Sequence, residues 1–427
     1  MRKTVTAFSI LTIFLLAGIA ATNGNGEVNK TTLAGTIGIA ARYPGDEGIE
    51  NDSAVVFTEK FESTAISDLD QRWTNVGHGT DGSALFIVKD TTFPGVGKNC
   101  LKIKATKGRN VGGHLWKLLD EGYEKLYARF YCKFAPDAPY VHHFCELSGR
   151  DPNNTSPWPL GGAGTRPTGT DWFTVNIDMT RKAFWRPAEA PQAPPAGEWI
   201  LYNYWSEMRS WQTPEGESDG RSRGFFGNVF GPLDEPLVVK RGVWQCVEVM
   251  IKLNDPEKRD GEVAFWIDGK LIERYGPGTI EGTWNTDKFW RTGDFNTNPQ
   301  PFEGFRWRKV ERIKINIFWL KYFLENIFKN DYNPNDPDIP YNDNVGIAYF
   351  DNVVLSKEYV GPIVTDQALP SGGDFDGDGQ AGISDVIRLI KLCMEEYPDA
   401  SADYNRDGAA GVTDALALLI DILKGQI

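Results

Sequence analysis

The chain has 427 residues, a formal net charge of −13, and 14 tryptophans beside 15 tyrosines. This length fits one large domain with small appendages, and the negative charge argues against a nucleic-acid partner. Much of that charge lies after Ser371, where acidic residues outnumber basic ones. The surplus of aromatic side chains is typical of a large core, and in an exported protein it also suits sugar rings.

The N-terminus predicts export. Arg2 and Lys3 precede an apolar run over residues 7–17, and small residues follow it as far as Ala21. The run is too short to span a bilayer and ends in a cleavable small-residue site, so residues 1–21 are predicted to be a signal peptide. No later segment is long and apolar enough to cross a membrane. We expect a secreted, extracellular protein, with attachment at the cell surface as one option.

The five cysteines are odd in number and include no C-x-x-C motif. Cys132 and Cys145 flank a predicted strand turn, which leaves a disulfide between them open. Buried free thiols are the favoured interpretation, because free cysteine is among the most buried residue types.

The next two segments differ in composition and in the spacing of their apolar residues. Residues 22–55 are rich in Gly, Asn, Thr and Asp without a sustained period, and predict a leader or linker with room for one edge strand. Residues 56–362 contain short alternating or apolar runs, at 84–88, 101–105, 126–134, 140–147, 172–177, 199–205, 243–253, 261–267, 310–319 and 347–355. Gly, Pro, Asn and Asp separate them, and the best helix candidate covers residues 321–330. The pattern predicts an all-β domain of two packed antiparallel sheets.

Local motifs support this fold class. Asp268-Gly269 between two apolar runs predicts a tight hairpin, since both residues tolerate positive φ. W-x-x-V-E occurs over 244–248, N-x-P over 254–256 and F-D-N-V-V over 350–354. These features resemble the concanavalin-like jelly-roll sandwiches of secreted polysaccharide lyases and related sugar-binding proteins. The resemblance implies a two-sheet antiparallel jelly roll, and fold alone does not settle function.

Two adjacent histidines lie in the run over residues 140–147, so one of them is expected on each face of a strand. Jelly-roll lyases commonly cleave uronic-acid polymers with a Tyr or His that moves the C5 proton. A basic or amide group neutralises the neighbouring carboxylate, which otherwise makes that carbon a very poor acid. The resemblance therefore implies His143 as a candidate base, or His142 if the register is reversed. A packed histidine is the alternative for either.

Other candidates follow along the chain. Arg166 lies in a glycine-rich loop over residues 161–169 and could hold a carboxylate in a bidentate fork, or be a solvated arginine in a turn. Tyr202 and Tyr204 share a face by spacing, and either is a candidate catalytic acid, with Tyr202 as the first choice and sandwich filling as the alternative. The predicted substrate-binding residues, with the same ambiguity, are His142, Tyr204, Trp205, Arg209, Arg306 and Arg308.

Several familiar motifs are missing. The chain has no E-x-D-x-x-E strand of jelly-roll glycoside hydrolases, and no Q-I-H or R-x-E strand of familiar alginate lyases. It also has no HExxH, G-x-S-x-G or P-loop motif. Three hypotheses remain: a lyase of an acidic polysaccharide, a non-catalytic carbohydrate-binding or adhesion sandwich, and an unfamiliar glycoside hydrolase.

A short linker over residues 363–372 leads to a duplicated acidic pattern over 373–427. Aspartates at loop positions one, three and five precede a glycine and a carboxylate at position twelve, and the arrangement recurs 29 residues later. Calcium takes about six to eight oxygen ligands, which such a loop supplies together with a backbone carbonyl at position seven. We predict two calcium ions, held by Asp374, Asp376, Asp378, Gln380 and Asp385, and by Asp403, Asn405, Asp407, Ala409 and Asp414.

An apolar helical stripe follows each loop, and the two helices are expected to pack on each other. The spacing resembles dockerin modules, whose calcium-binding loop-helix repeats dock onto cohesin domains of a scaffold or cell surface. That resemblance implies a cohesin-like partner. Loop positions ten and eleven read Ile383-Ser384 and Val412-Thr413, with an apolar residue where cellulosomal members carry a small hydroxyl.

Overall fold

The computed structural model describes residues 38–63, 65–95, 97–139, 141, 143–154, 162–180, 197–220, 223–230, 237–290, 298–324, 345–364, 373–375, 380–394, 402–405 and 409–425. The chain divides into a sandwich unit over residues 37–369 and a C-terminal unit that contains residues 370–427. None of the helices in the described ranges is long and apolar enough to cross a membrane.

The described part of the sandwich unit is mostly strand. Its strands are β1 (Val55–Glu59), β2 (Asn75–Gly77), β3 (Leu85–Lys89), β4 (Asn99–Thr106), β5 (Gly112–Tyr123), β6 (Lys125–Phe134), β7 (Cys145–Arg150), β8 (Trp172–Thr180), β9 (Glu198–Tyr204), β10 (Asn228–Phe230), β11 (Gln245–Lys252), β12 (Glu262–Ile267), β13 (Lys270–Tyr275), β14 (Glu281–Asn285), β15 (Lys288–Trp290), β16 (Gln300–Pro301), β17 (Lys314–Phe323) and β18 (Val345–Ser356). Its helical segments are the 3-10 turns Ile39–Arg42, Pro44–Asp46, Ile49–Asn51 and Ile66–Asp68, and the short helix α1 (Leu69–Arg72).

These strands form two sheets. The first has the order β13-β12-β11-β6-β18-β4-β3, with β1 added beside β18, and the second has the order β16-β14-β15-β10-β9-β8-β7-β17-β5-β2. Every pair is antiparallel except β10 with β15, so the predicted antiparallel architecture is confirmed apart from one parallel pair.

Aromatic side chains from both sheets meet in the core. Phe130 of β6 lies 6.0 Å from Phe318 of β17, and Phe350 of β18 stacks on Phe144, beside β7, at 5.4 Å between ring centroids. All four side chains are buried. Burying rings of this size between two sheets contributes about 1.5–3 kcal/mol each, so the sheets form the predicted sandwich.

The motifs that predicted the fold have physical roles in it. Asp268 and Gly269 have φ of 52° and 79° and join β12 to β13 in a two-residue turn, which confirms the predicted hairpin. Glu248, the last residue of W-x-x-V-E, accepts hydrogen bonds from the backbone N–H of Val360 (2.7 Å) and Gly361 (2.9 Å). These bonds fasten the segment after β18 to β11.

Two predicted elements are wrong in part. The helix candidate over residues 321–330 begins inside β17, which continues to Phe323, and residues 325–330 lie outside the described residues. The strand predicted over residues 140–147 begins only at Cys145. His143 precedes it and forms an isolated bridge with Phe323, so strand alternation does not determine where its ring points.

The sandwich also starts earlier than predicted. Residues 38–54 were assigned to a leader, yet Ile39 and Ile49 are buried against Val354 and Val360. The charges show the same attachment, because Asp46 forms an ion pair with Arg129 at 2.5 Å and both side chains are completely buried. Residues before 38, including the predicted signal peptide, lie outside the described residues.

All five cysteines are free and buried, so the favoured prediction of unpaired thiols is confirmed and the option of a Cys132–Cys145 disulfide is not. Burial raises the pKa of the Cys100 thiol to about 12 and that of the Cys393 thiol to about 11. Thiols in such surroundings stay protonated and unreactive.

The described part of the C-terminal unit contains two helices, α2 (Ile383–Cys393) and α3 (Val412–Lys424), which pack together as predicted. Their buried apolar positions recur at helical spacing: Val386, Leu389 and Cys393 in α2, and Ala415 and Leu418 in α3. Each helix begins directly after a glycine in extended conformation, Gly382 or Gly411.

Candidate active site

A row of polar side chains lies on the second sheet, on the face turned away from the core. Leu147, Val175, Leu201 and Phe318 belong to the core cluster, and because strand side chains alternate, their neighbours point the other way. Those neighbours, here called the polar face, are Glu146, Ser148, Arg150, Thr174, Asn176, Asp178, Tyr202, Tyr204, Trp319 and Lys321. The strand register aligns them, since Glu146 lies opposite both Asn176 and Trp319, and Asn176 lies opposite Tyr202.

Lys321 lies at the centre of the polar face. Its Nζ donates to Glu146 Oε2 at 2.8 Å and to Asn176 Oδ1 at 3.3 Å, and all three side chains are buried. The ammonium also lies 4.1 Å from the ring centroid of Trp319. The amide of Asn176 is fixed in turn, because its Nδ2 donates to the Tyr202 carbonyl at 2.9 Å. A cation and an amide are therefore held together in a defined geometry.

His143 and Asp178 form a second pair beside this centre. The ring Nδ1 lies 3.6 Å from Asp178 Oδ2, and Asp178 Oδ1 accepts the backbone N–H of Phe144 at 2.7 Å. The His143 side chain is 36% exposed, whereas that of Asp178 is only 6% exposed. A buried carboxylate next to an accessible imidazole can orient the ring and stabilise the imidazolium, which is the arrangement of a general base.

Two tyrosines occupy the neighbouring strand. The rings of Tyr202 and Tyr204 lie 5.7 Å apart and pack edge to face. Burial, as the main cause, raises the pKa of each phenol, and for Tyr202 the nearby Tyr204 adds to the increase. Both phenols therefore keep their protons at neutral pH, which suits proton donation and not proton abstraction.

His114 extends this region along β5, where it lies opposite Lys321. Its Nε2 lies 2.8 Å from Asn75 Oδ1, and its ring packs edge-on against Trp319 at 5.5 Å. Burial and the nearby positive charge of Lys321 lower the pKa of the imidazole to about 4. His114 is consequently neutral in the physiological range and helps to pack this end of the site.

Of the predicted catalytic residues, the structure brings His143 and Tyr202 to the polar face, with Tyr204 from the predicted binding set beside them. Arg166 is exposed and stacks on Phe225 at 4.9 Å, and no described contact joins it to the polar face. His142 lies outside the described residues. The role assigned to each of these residues stays a prediction.

The remaining predicted binding residues have structural surroundings instead. Trp205 is buried among rings that include Phe305, 5.3 Å away. Arg209 donates to the Thr286 carbonyl at 2.7 Å and stacks on Trp284.

The two arginines near position 307 are similarly engaged. Arg306 donates to the Pro256 carbonyl at 2.9 Å. Arg308 is only 4% exposed and lies 2.6 Å from Glu124 Oε2, with further bonds to the carbonyls of Asn254 and Ile313. These bonds give both arginines a structural role in joining neighbouring segments of the fold.

Five residues of this region are not among the predicted site residues: Lys321, Glu146, Asn176, Asp178 and His114. A signal for two of them is present, because Asn176 and Asp178, like Thr174, alternate with apolar residues along β8. Such alternation predicts one polar face, but it does not distinguish an ordinary solvated face from a buried polar network. Lys321 was hidden by the incorrect helix prediction.

The calcium loops are described only in part. Asp385 accepts the N–H groups of Phe375 and Gly382, each at 2.6 Å. Asp414 does the same for Asn405 at 3.0 Å and Gly411 at 2.7 Å.

Both of these carboxylates are buried. Asp374, Gln380, Asp403 and Ala409 are also described, whereas Asp376, Asp378 and Asp407 lie outside the described residues. Among the described residues, no group of three or more His, Cys, Asp or Glu side chains could hold a metal ion.

No family model and no curated protein matches the chain. Solved structures do. An alginate lyase from Chlorella virus is 14% identical with a TM-score of 0.43, and one from Aplysia kurodai is 12% identical with a TM-score of 0.43; each match covers 71% of this chain and at least 99% of the other. An endo-β-1,4-glucuronan lyase from Trichoderma reesei is 12% identical with a TM-score of 0.36, covering 74% and 100%. At these values the matches assign no residue role and no activity.

Proposed function

We propose that the sandwich unit is a polysaccharide lyase that acts on an acidic polysaccharide. The observation that carries this proposal is the placement of the His143–Asp178 pair beside Lys321 and Asn176 on one face. Cleavage by β-elimination needs a base for the proton next to a carboxylate, and groups that withdraw charge from that carboxylate. The first pair supplies the base, and the second supplies a cation that the amide oxygen of Asn176 holds in place.

His143 takes the C5 proton of a uronate residue, and Asp178 stabilises the resulting imidazolium. Lys321, which Asn176 Oδ1 holds in place, binds the uronate carboxylate, on which negative charge accumulates as the C5–H bond breaks. The electron pair then forms the C4–C5 double bond, the C4–O bond breaks, and a proton from Tyr202 or Tyr204 neutralises the departing glycosidic oxygen.

The test is the ultraviolet absorbance of the unsaturated uronate product. The full chain is incubated with alginate, glucuronan, pectate and glycosaminoglycans, of which the first two are the substrates named for the structures it resembles. We expect absorbance to rise with at least one polymer. In His143→Ala the rate of this rise should be about 10²–10⁴-fold lower. Arg166→Ala is the matched variant, because no contact within the described part of the chain joins Arg166 to the polar face. Equal losses in both variants would refute the assigned site.

A non-catalytic carbohydrate-binding sandwich is the second candidate. The observation in its favour is that Glu146 already offsets the charge of Lys321, which weakens the pull on a substrate carboxylate. This candidate predicts retention on a polysaccharide gel with no product from any polymer.

A glycoside hydrolase is the third candidate, because Glu146 and Asp178 place two carboxylates on the same face. Their partners argue against this role, since Glu146 is bound to Lys321 and Asp178 to the Phe144 N–H. Release of reducing ends without the unsaturated product would select the hydrolase.

We also propose that the C-terminal unit binds two calcium ions and that the chain is exported and attached through this unit to a cohesin-like domain. The support is the duplicated loop sequence and the matching positions of Asp385 and Asp414. In each loop the position-twelve carboxylate accepts one N–H group from the glycine before the helix and one from the start of the loop, Phe375 or Asn405, which holds it beside the other acidic residues. Calcium would be bound by carboxylate and carbonyl oxygens, as the donor set requires.

A further inference from the structure

Lysines and aromatic residues alternate across the first sheet, on the opposite side of the sandwich from the polar face. Lys133, Tyr349, Lys102 and Phe86 lie directly opposite one another on the adjacent strands β6, β18, β4 and β3. Their neighbours in sequence, such as Phe134 and Ile103, belong to the core cluster. The four side chains, here called the lysine–aromatic row, therefore point outward.

A cavity of about 450 Å³ opens beside this row. Its lining includes Lys89, Lys102, Lys133, Asp90, Thr91 and Tyr349. The volume lies within the range of about 300–1,000 Å³ that is usual for small-molecule sites, and it is large enough for more than one sugar ring. Three lysines against one aspartate give the lining a positive balance.

Part of this charge has no counter-ion in the described structure. Lys133 forms an ion pair with Asp90. Lys89 and Lys102 form no ion pair with any described residue. Lys89 is exposed and Lys102 is partly buried, so both ammonium groups are accessible from the cavity. Accessible cations without anionic partners favour an anion as ligand.

Aromatic rings next to these lysines indicate which kind of anion would fit the site. Lys133 lies between two rings, 5.1 Å from Tyr349 and 4.9 Å from Trp244, and Lys102 lies 5.7 Å from Phe86. The Phe86 side chain is 37% exposed. Flat rings next to donors match a sugar ring that carries a carboxylate, because the ring packs on the aromatic face while the charge meets the ammonium.

We propose that the lysine–aromatic row is a second binding site for acidic glycan chains, separate from the polar face. The choice of a glycan as ligand rests on the proposed lyase function. Lys102 and Lys89 bind uronate carboxylates, and Tyr349 and Phe86 support the sugar rings. A polymer held here keeps the enzyme on its substrate between cleavage events, since a second contact makes rebinding at the polar face intramolecular.

The test is retention on an immobilised uronate polymer, alginate or glucuronan, in the His143→Ala background so that no polymer is cut. Lys102→Ala is expected to raise the dissociation constant for the immobilised polymer about tenfold. This is the loss typical of one charge-assisted contact. Lys270→Ala is the matched control, because it removes one exposed lysine from the same sheet away from the cavity. Tyr349→Ala should also weaken retention and Tyr349→Phe should not, because the ring is the binding element.

The outcomes separate this site from the proposed function. If the full chain cleaves a polymer while Lys102→Ala and Tyr349→Ala retain it as the parent does, the second site is refuted and the lyase stands. If no polymer is cleaved but retention depends on Lys102 and Tyr349, the site stands without the lyase. Equal losses in Lys102→Ala and Lys270→Ala, or the same Lys102 dependence on immobilised DNA, would show unspecific attraction of polyanions and overturn the proposal.

Discussion

The Nζ atom of Lys321 lies 2.8 Å from Glu146 Oε2, and the two side chains are only 6% and 7% exposed. The pair joins β17 to β7 at the middle of the polar face. Desolvation of two charges is costly, and the remaining polar atoms must be satisfied if the pair is to be tolerated. Asn176 contributes one such bond. The same contacts that position Lys321 for a substrate therefore also hold the sheet together.

Removal of one partner of this pair should destabilise the protein strongly. Lys321→Met leaves Glu146 buried and unpaired, and we expect the free energy of unfolding to fall by about 3–5 kcal/mol. Urea unfolding measures it. Lys240→Met, which breaks the exposed pair with Asp268, should cost less than about 1 kcal/mol. Adding Glu146→Gln to Lys321→Met should restore part of the stability; a double variant no more stable than the single one would contradict the pairwise explanation.

We expect only one of Tyr202 and Tyr204 to donate the proton in catalysis. Tyr202→Phe and Tyr204→Phe keep both rings and remove one phenol each, so packing is preserved. The variant that lacks the proton donor should lose about 10²–10⁴-fold in kcat, and the other should lose less, because it only removes a hydroxyl next to the donor. Initial rates on the best polymer measure both. Unchanged kcat in both variants would exclude the tyrosines as the acid.

The buried carboxyl of Glu248 predicts a pH dependence of stability. Burial, opposed by the N–H groups of Val360 and Gly361, raises the pKa of this carboxyl from 4.5 to about 7. Between these values the folded protein keeps a proton that the unfolded chain has released. The stability contributed by Glu248 is present in full below pH 4.5 and is lost as the pH rises through 7.

The Glu248→Gln variant has no carboxyl to ionise at this position. Its free energy of unfolding should therefore decrease less with rising pH, a decrease that Glu248 can make at most about 1.4 kcal/mol per pH unit. Denaturant unfolding at a series of pH values measures it. Asp351→Asn serves as a comparison, because burial raises the pKa of Asp351 to about 9 and the loss it causes extends to higher pH. An unchanged slope between the two pKa values in Glu248→Gln would mean that Glu248 is not the group responsible.

The β12–β13 hairpin predicts a cost for a side chain at its second turn residue. Gly269 has φ of 79°, and a Cβ atom added there would lie 2.9 Å from Pro362 Cγ. Gly278 has φ of 69° with nothing within 4 Å of its Cβ position. Gly278→Ala should therefore cost about 1–2 kcal/mol from the backbone alone, and Gly269→Ala should cost more. Thermal unfolding compares them, and equal shifts would show that Pro362 yields to the methyl group.

Calcium removal should act on the C-terminal unit. If the duplicated loops bind two ions, titration calorimetry with calcium gives a stoichiometry of about two, and chelation lowers the unfolding temperature of α2 and α3. Asp385→Ala and Asp414→Ala should each remove one ion. Asp421→Asn is the control, since Asp421 accepts a hydrogen bond from Tyr404 and is not a predicted ligand. An unchanged stoichiometry in either loop variant would refute the predicted ligand sets.

The sequence predicted the sandwich well because the periodicity of two is a local property. The run over residues 172–177, the Asp268-Gly269 turn and the F-D-N-V-V strand each depend on neighbouring residues alone. The buried Asp46–Arg129 pair joins residues far apart in the chain, and no local pattern indicates that residues 38–54 pack on the sheet. The N-terminal boundary was therefore placed too late.

The same reason explains the partial success at the site. His143 and Tyr202 stood out by residue type, and both lie on the polar face. The arginines also stood out, but a cation near an aromatic residue has the same local sequence whether it binds a ligand or holds loops, as Arg308 does with Glu124 and Asn254. Lys321 and Glu146 come from distant strands, and only the register of β7 against β17 brings them together.

The five buried thiols have a practical consequence. Because each is shielded and protonated in the folded state, an alkylating reagent reaches it only when the surrounding structure opens. Cys393 lies in α2, whereas Cys100, Cys132, Cys145 and Cys246 lie in strands of the two sheets. Labelling rates at single positions, read by mass spectrometry, would therefore give opening free energies for the helical unit and for individual strands, from native residues and without any introduced probe.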